Sequence, residues 1–237
     1  MWQRGGSVRP MSDPAAPASD VWCIVVAGGS GRRWGGAKQF ELLEGRRVID
    51  RSVDAAREAG ARVVAVVPAD DEGAPVCDVP SADLVVVGGA TRSESVRSGL
   101  AVVPAEATIM LVHDAARPLA SEALFRRVID AVRSGSEAVV PVVPVVDTIR
   151  SIYGGVVDRD SLRAVQTPQG FEASTLRRVH SDLPDASDDA GLVEAVGVSV
   201  ALVVGERRNL KLTDPADRVI ASAWLAADSD DAADSSS

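Results

Sequence analysis

Two of the chain's 25 basic side chains are lysines, Lys38 and Lys211, and each adjoins a stretch suited to handling phosphate. Surface ion pairs accept either cation, but a compact ammonium acting as a point charge on phosphate does not interchange freely with a planar guanidinium. Lys38 lies in AGGSGRRWGGAKQF, where glycines let backbone N–H groups approach an anion and Arg32, Arg33 and Lys38 supply charge for a polyphosphate. Two familiar motifs fail here. The dinucleotide fingerprint needs a glycine where Trp34 stands, and the ATPase phosphate loop needs lysine where Ala37 intervenes. Lys211 lies in GERRNLKLTDPAD and reads as part of a short strand, an unusual place for a lysine unless its ammonium faces something anionic. Asp214 and Pro215 then mark the start of a last helix.

Three further loops carry candidate groups. DLVVVGG ends in Gly88 and Gly89, after which TRSESVRSGL opens a helix with Ser93 or Ser95 near its start; paired glycines leave room for a flat base to rest on backbone. TIMLVHDAARP puts His113, Asp114 and Arg117 just past a buried strand, where a carboxylate can hold or orient a magnesium ion bridging phosphates. A lone histidine there is more often packed or hydrogen-bonded than catalytic, so His113 is not assigned as a base, and His180 reads as a surface helix residue. Asp147 and Thr148, then Arg159, then Gln166, Thr167, Pro168 and Gln169 flank a segment that breaks the pattern of the rest.

Those loops need a frame. Apolar runs recur as VWCIVVA, RVVAVV, DLVVVGG, TIMLVHD, EAVVPVV, AVQTP and VSVALVVG, the continuous character of strands buried on both faces. RRVIDRSVDAAREAG and SEALFRRVIDAVRSG between them have helical spacing and stop at Gly60 and Gly135. Strand and helix in alternation predict an α/β fold with a mostly parallel sheet, helices on both faces and the ligand at the carboxyl ends of the strands. Residues 144–165 hold two short apolar runs about Tyr153, Gly154 and Gly155, which predicts a projecting β-hairpin arm able to dimerise the protein. Residues 1–20 and the acidic 227–237 are expected to be solvated tails around a domain at 21–226, with Met11 a plausible alternative start.

A net charge of −9 over 237 residues argues against a general nucleic-acid or anionic-membrane binder. Cys23 and Cys77 lack metal-site or disulfide spacing, and no run has signal-peptide or membrane-spanning character, so a cytoplasmic protein is expected.

Taken together, AGGSGRRWGGAKQF, GGATRSESVRSGL, LVHDAARP, PVVDTIR, VDRDSLRAVQTPQGF, SDDAGLVEAVG and GERRNLKLTDPAD resemble, in order, the 2-C-methyl-D-erythritol 4-phosphate cytidylyltransferase family. The resemblance spans about Val21 to Leu225. It implies a three-layer, Rossmann-like nucleotidyltransferase that moves CMP from CTP to 2-C-methyl-D-erythritol 4-phosphate, releasing pyrophosphate in non-mevalonate isoprenoid synthesis, with a divalent ion, Mg2+, and works as a homodimer through the arm. By the same resemblance Arg33 and Lys38 hold the CTP phosphates, Lys211 supports the α-phosphate and Asp114 belongs to the metal. Ala27, Gly28, Gly29, Gly31, Gly88, Gly89 and Ser95 surround the nucleotide. Arg117, Thr148, Arg159 and Thr167 contact the acceptor phosphate, with Arg159 reaching across the dimer.

The chain departs from the family's usual text with AKQ for PKQ, AGG for AAG and SDDA for TDDA, none of which removes a charge. Two alternatives stand at this point: a ribitol-5-phosphate cytidylyltransferase, whose family shares most of these blocks, and a non-catalytic nucleotide-binding regulator. With no cyclase domain in the sequence, a single-function chain is expected.

Overall fold

The computed structural model describes residues 20–28, 37–182, 186 and 188–234. In chain order the strands are β1 Val21–Val26, β2 Leu42–Leu43, β3 Arg46–Arg47, β4 Arg62–Val67, β5 Leu84–Val87, β6 Ile109–Asp114, β7 Ala138–Pro144, β8 Ile149–Arg150, β9 Val156–Val157, β10 Arg163–Val165, β11 Gln169–Glu172 and β12 Val200–Val204. The helices are α1 Val48–Glu58, α2 Arg92–Leu100, α3 Glu122–Arg133, α4 Ala173–Asp182, α5 Asp189–Ala195 and α6 Pro215–Asp234.

The main sheet runs β7-β11-β6-β1-β4-β5, with β12 parallel to β7 and β10 antiparallel to it. β1, β4, β5 and β6 are mutually parallel neighbours, and β10 with β11 are the antiparallel members. The apolar runs form strands as expected because both faces are covered. Cys23 and Val25 of β1 face one apolar cluster with Ile49, Val53, Phe125 and Val128 of α1 and α3. Ile24 and Val26 face the other, with Val96 of α2 and Leu176 and Val179 of α4. Gly60 and Gly135 take φ of +91° and +104°, the left-handed conformation that ends α1 and α3 cheaply.

Four details differ from the sequence expectations. AVQTP supplies only β10, and the strand that separates β6 from β7 is the unanticipated QGFE of β11, where a side chain on Gly170 would strike Val128. β12 is an edge strand, and Leu202 and Val204 are exposed on it. Lys211 lies in no strand; its segment is fixed by the Leu212 N–H donating to the Ala116 carbonyl (2.8 Å) and by the buried Leu212 side chain. α6 continues to Asp234 rather than giving way to a tail after residue 226. No helix among the described residues is long and apolar enough to cross a membrane.

Candidate active site

The carboxyl ends of β1 and β6 lie side by side, with Val26 in register with Asp114, and a cleft of about 370 Å³ opens beyond them. Val26, Ala27 and Gly28 form its floor; Lys38 and Gln39 enter from one side, Thr91, Arg92 and Ser95 from the start of α2, and Asp114 and Lys211 from the other side. Local chemistry fixes each part. Gln39 is buried and donates its Nε2 proton to the Ala27 carbonyl (2.6 Å), which ties the turn bearing Lys38 to β1. Thr91 and Glu94 make a reciprocal capping box, so α2 begins at Arg92. Ser95 donates to the Thr91 carbonyl (3.0 Å) and packs between strand ends: a Cβ on Gly28 would sit 3.2 Å from Ser95 Oγ, and one on Gly88 only 2.7 Å away. A Cβ on Gly89 would collide with Glu94. These glycines admit the helix start to the sheet edge.

Asp114 is the electrostatic centre. Its Oδ2 accepts from Lys211 Nζ (2.6 Å), its Oδ1 lies 3.4 Å from Arg92 Nε, and its backbone N–H donates to Thr167 Oγ1 (3.0 Å). Burial pushes such a carboxyl upward, but Arg92, Lys211 and Arg117 outweigh it and hold Asp114 well below the usual carboxylate range. The site therefore keeps an anion among cations. Lys211 is about half exposed at its side chain (46%), so this pair contributes little net stability and can exchange partners.

His113 is fully buried. Thr167 Oγ1, already accepting from Asp114, has its proton left for His113 Nδ1 (3.0 Å), which assigns the other proton to Nε2, facing the Arg117 carbonyl (3.3 Å). Burial pushes its pKa down to about 4 despite the nearby Asp114 carboxylate. It is a neutral structural link, not a base.

A family model described as IspD, 2-C-methyl-D-erythritol 4-phosphate cytidylyltransferase, matches residues 21–227. The chain belongs to this family. It is 43% identical to the cytidylyltransferase of that name from Rhodococcus jostii (strain RHA1), covering 91% of this chain and 98% of the relative. It is 44% identical to that of Nocardia farcinica (strain IFM 10152), covering 86% and 94%. Among solved structures, the 2-C-methyl-D-erythritol 4-phosphate cytidylyltransferase of Thermus thermophilus superposes with a TM-score of 0.75 at 38% identity, covering 87% of this chain and 98% of that one. The protein is thus a nucleotidyltransferase, and its sheet is the Rossmann-like one the resemblance implied.

Within this cytidylyltransferase, Lys38, Lys211, Ala27, Gly28, Ser95 and Asp114 share one cleft. Gly29, Gly31 and Arg33 lie outside the described residues. Gly88 and Gly89 stand behind the cleft as packing positions for α2. Thr167 is buried beneath Asp114, and Arg117 is tied by its guanidinium to the carbonyls of Asn209 (2.8 Å) and Val165 (3.4 Å). Thr148 and Arg159 are exposed on the arm, which is a β8–β9 hairpin as expected, and neither lines the cleft of the same chain.

Sequence reasoning missed Arg92 and misjudged His180. Arg92 Nη1 donates to Asp189 Oδ2 (2.7 Å), and His180 Nε2 meets Asp189 Oδ1 (2.9 Å) in the interior rather than at the surface. The polar run around His180, with Arg177, Arg178 and Ser181, concealed the face that α5 covers. A signal for Arg92 existed: an arginine directly after a threonine cap, on a helix that starts at a strand end.

Proposed function

We infer that this cleft transfers the cytidylyl group of CTP to 2-C-methyl-D-erythritol 4-phosphate and releases pyrophosphate. The observation that carries the inference is the pairing of Lys211 with Asp114 in the cleft that also holds Lys38, at the carboxyl ends of parallel strands. An oxygen of the acceptor phosphate forms a bond to the α-phosphorus, and the bond to the bridging oxygen of the β-phosphate breaks, so pyrophosphate leaves with that electron pair. The attacking phosphate is already anionic, and no side chain has to remove a proton. What the protein must supply is placement and positive charge. Lys38 and Lys211 contribute two such charges, and Ser95 with the backbone at Gly28 and Ala90 offers polar groups to the nucleoside.

A divalent ion fits the chemistry of the donor set in one way. The described residues contain no group of three or more His, Cys, Asp or Glu side chains that could cage a metal, but Asp114 is a carboxylate kept ionised by its neighbours. Magnesium takes one or two protein carboxylates and completes its shell with phosphate oxygens and water. Asp114 would hold it, and the ion would supply charge neutralisation at the phosphates.

The arm completes the acceptor side in this proposal. Ile152 and Tyr153 at its tip are 91% and 95% exposed, an apolar surface suited to a second copy of the chain, and Thr148 and Arg159 would then serve the partner's acceptor phosphate. A cytoplasmic setting accords with the two free cysteines.

Pyrophosphate release from CTP, measured with 2-C-methyl-D-erythritol 4-phosphate and with ribitol 5-phosphate in turn, tests the assignment. Release with the first acceptor and little with the second is expected. The reverse preference moves the chain to the ribitol enzyme, and CTP binding with no release under either acceptor makes it a regulator.

A further inference from the structure

The SDDA run carries two aspartates with different tasks. Asp188 is the N-cap of α5: its Oδ1 accepts from the Gly191 N–H (3.1 Å) and its Oδ2 from Gln169 Nε2 (3.1 Å). The neighbouring Asp189 takes no part in that cap. Its carboxylate is fully buried and divides its oxygens between His180 of α4 (2.9 Å) and Arg92 of α2 (2.7 Å). Arg92 in turn faces Asp114 (3.4 Å), which faces Lys211 (2.6 Å). A chain of alternating charge thus runs from the helical layer behind the sheet into the cleft. A buried carboxylate of this kind is costly unless satisfied, and its position 97 residues from Arg92 shows that tertiary packing alone brings the two together.

The two contacts of Arg92 are unequal. That to Asp189 is short and shielded from water, whereas that to Asp114 is long and at the rim of the cleft. A guanidinium held only by Asp114 would swing toward an incoming polyphosphate and pull the carboxylate with it. Held from behind, it stays while Lys211 changes partners. We propose that Asp189, steadied by His180, is a positioning residue for cytidylyl transfer: it anchors Arg92 so that Asp114 keeps one oxygen against the arginine and presents the other into the cleft, where Lys211 meets it. Burial opposes the charge on Arg92, but Asp189 and then Asp114 more than restore it, consistent with a permanent cation at this joint.

The proposal rests on the transfer reaction inferred above, so the test separates the two. In the full chain, Asp189→Asn keeps the shape and removes the anchoring charge; kcat is expected to fall about tenfold, the scale of losing a group that orients a contacting residue. In an Arg92→Gln background the same substitution is expected to change kcat by less than about twofold, because the anchor then has nothing to hold. Losses that multiply in the double variant, or an Asp189→Asn protein with native melting behaviour and unchanged kcat, overturn the proposal. Should Asp189→Asn fail to fold, His180→Leu and His180→Gln decide: the leucine variant is expected to lose at least about threefold in kcat and the glutamine, which still donates to Asp189, to recover most of it. Equal rates in both overturn the proposal. If the unsubstituted chain releases no pyrophosphate, the reaction assignment fails, and the anchor is judged on a crystal structure of Asp189→Asn. Arg92 displaced from Asp114 there supports it; Arg92 in its original place refutes it.

Discussion

The cleft and the arm are built on opposite principles. Around Asp114 each polar atom is fixed by groups from distant parts of the chain: Arg92 from α2, Thr167 from the break between β10 and β11, and Lys211 from the segment before α6. The arm is two strands of two residues each, closed by a turn in which Gly154 and Gly155 take φ of +110° and +82°, with its apolar tip in water. One region is preorganised by its own fold, so that Arg92, Asp114 and Thr167 are already in place and only Lys211 has to change partners. The other carries the same kinds of residue, threonine and arginine, on an exposed hairpin where Arg159 is tied only locally, to the Val146 carbonyl. In the proposed reaction a charge acts where something rigid stands behind it, and for Thr148 and Arg159 a second copy of the chain would supply that support.

Substitutions can break the contrast. Lys38→Ala and Lys211→Ala are each expected to lower turnover by at least about a hundredfold, or about 3 kcal/mol of barrier, as seen when one preset contact to developing charge is removed. Circular dichroism should show the fold intact, and near-normal turnover in either variant would remove the cleft from its role. At the arm, Arg159→Ala is expected to cost about tenfold or more in kcat/KM for the acceptor without shifting the melting temperature of the chain. Tyr153→Asp should shift sedimentation toward monomer and reduce activity in parallel. A fully active monomer would show that the arm serves no partner.

A subtler test uses pH. Asp114 has a folded pKa below its unfolded value near 3.8, so the unfolded chain binds the proton first as pH falls. Its contribution to stability is present above about pH 4 and is lost on acidification through the folded pKa. Melting temperature should therefore fall less steeply from pH 5 to pH 3 in Asp114→Asn than in the parent protein, and identical slopes would contradict the charge network. The smallest kinetic effect is expected at His113→Gln: less than about threefold in kcat with about 1–3 kcal/mol lost in stability, since the residue links Thr167 to the Arg117 carbonyl and moves no proton. A large loss of turnover with unchanged stability would instead make it a catalytic group.

Much of the molecule was legible in its sequence because local and global preferences agree. The short, β-branched runs of β1, β4 and β6 suit strands buried on both faces, and Gly60 and Gly135 mark helix ends by conformation. β11 was hidden because Phe171 is its single strong strand former, set among Gln169, Gly170 and Glu172; the segment is held by neighbours on both sides, β6 and β7. Lys38, Asp114 and Lys211 announce themselves by rarity or by place after a strand. Arg92, Asp189 and His180 do not, since a capped helix start, a residue beside a cap and a histidine among arginines look ordinary until α2, α4 and α5 are packed together. A pairing across 97 residues, such as Arg92 with Asp189, leaves no periodic trace.

The contact between Lys211 and Asp114 has a consequence for what the enzyme ignores. A half-exposed ammonium that is already paired is a poor trap for inorganic phosphate, because an incoming anion must first win it from a carboxylate. In the proposed reaction a triphosphate would offer the ammonium an anion in its place, while Asp114 would be left to hold the divalent ion. Such an exchange would favour a polyphosphate, with several anionic oxygens to offer, over a single simple anion.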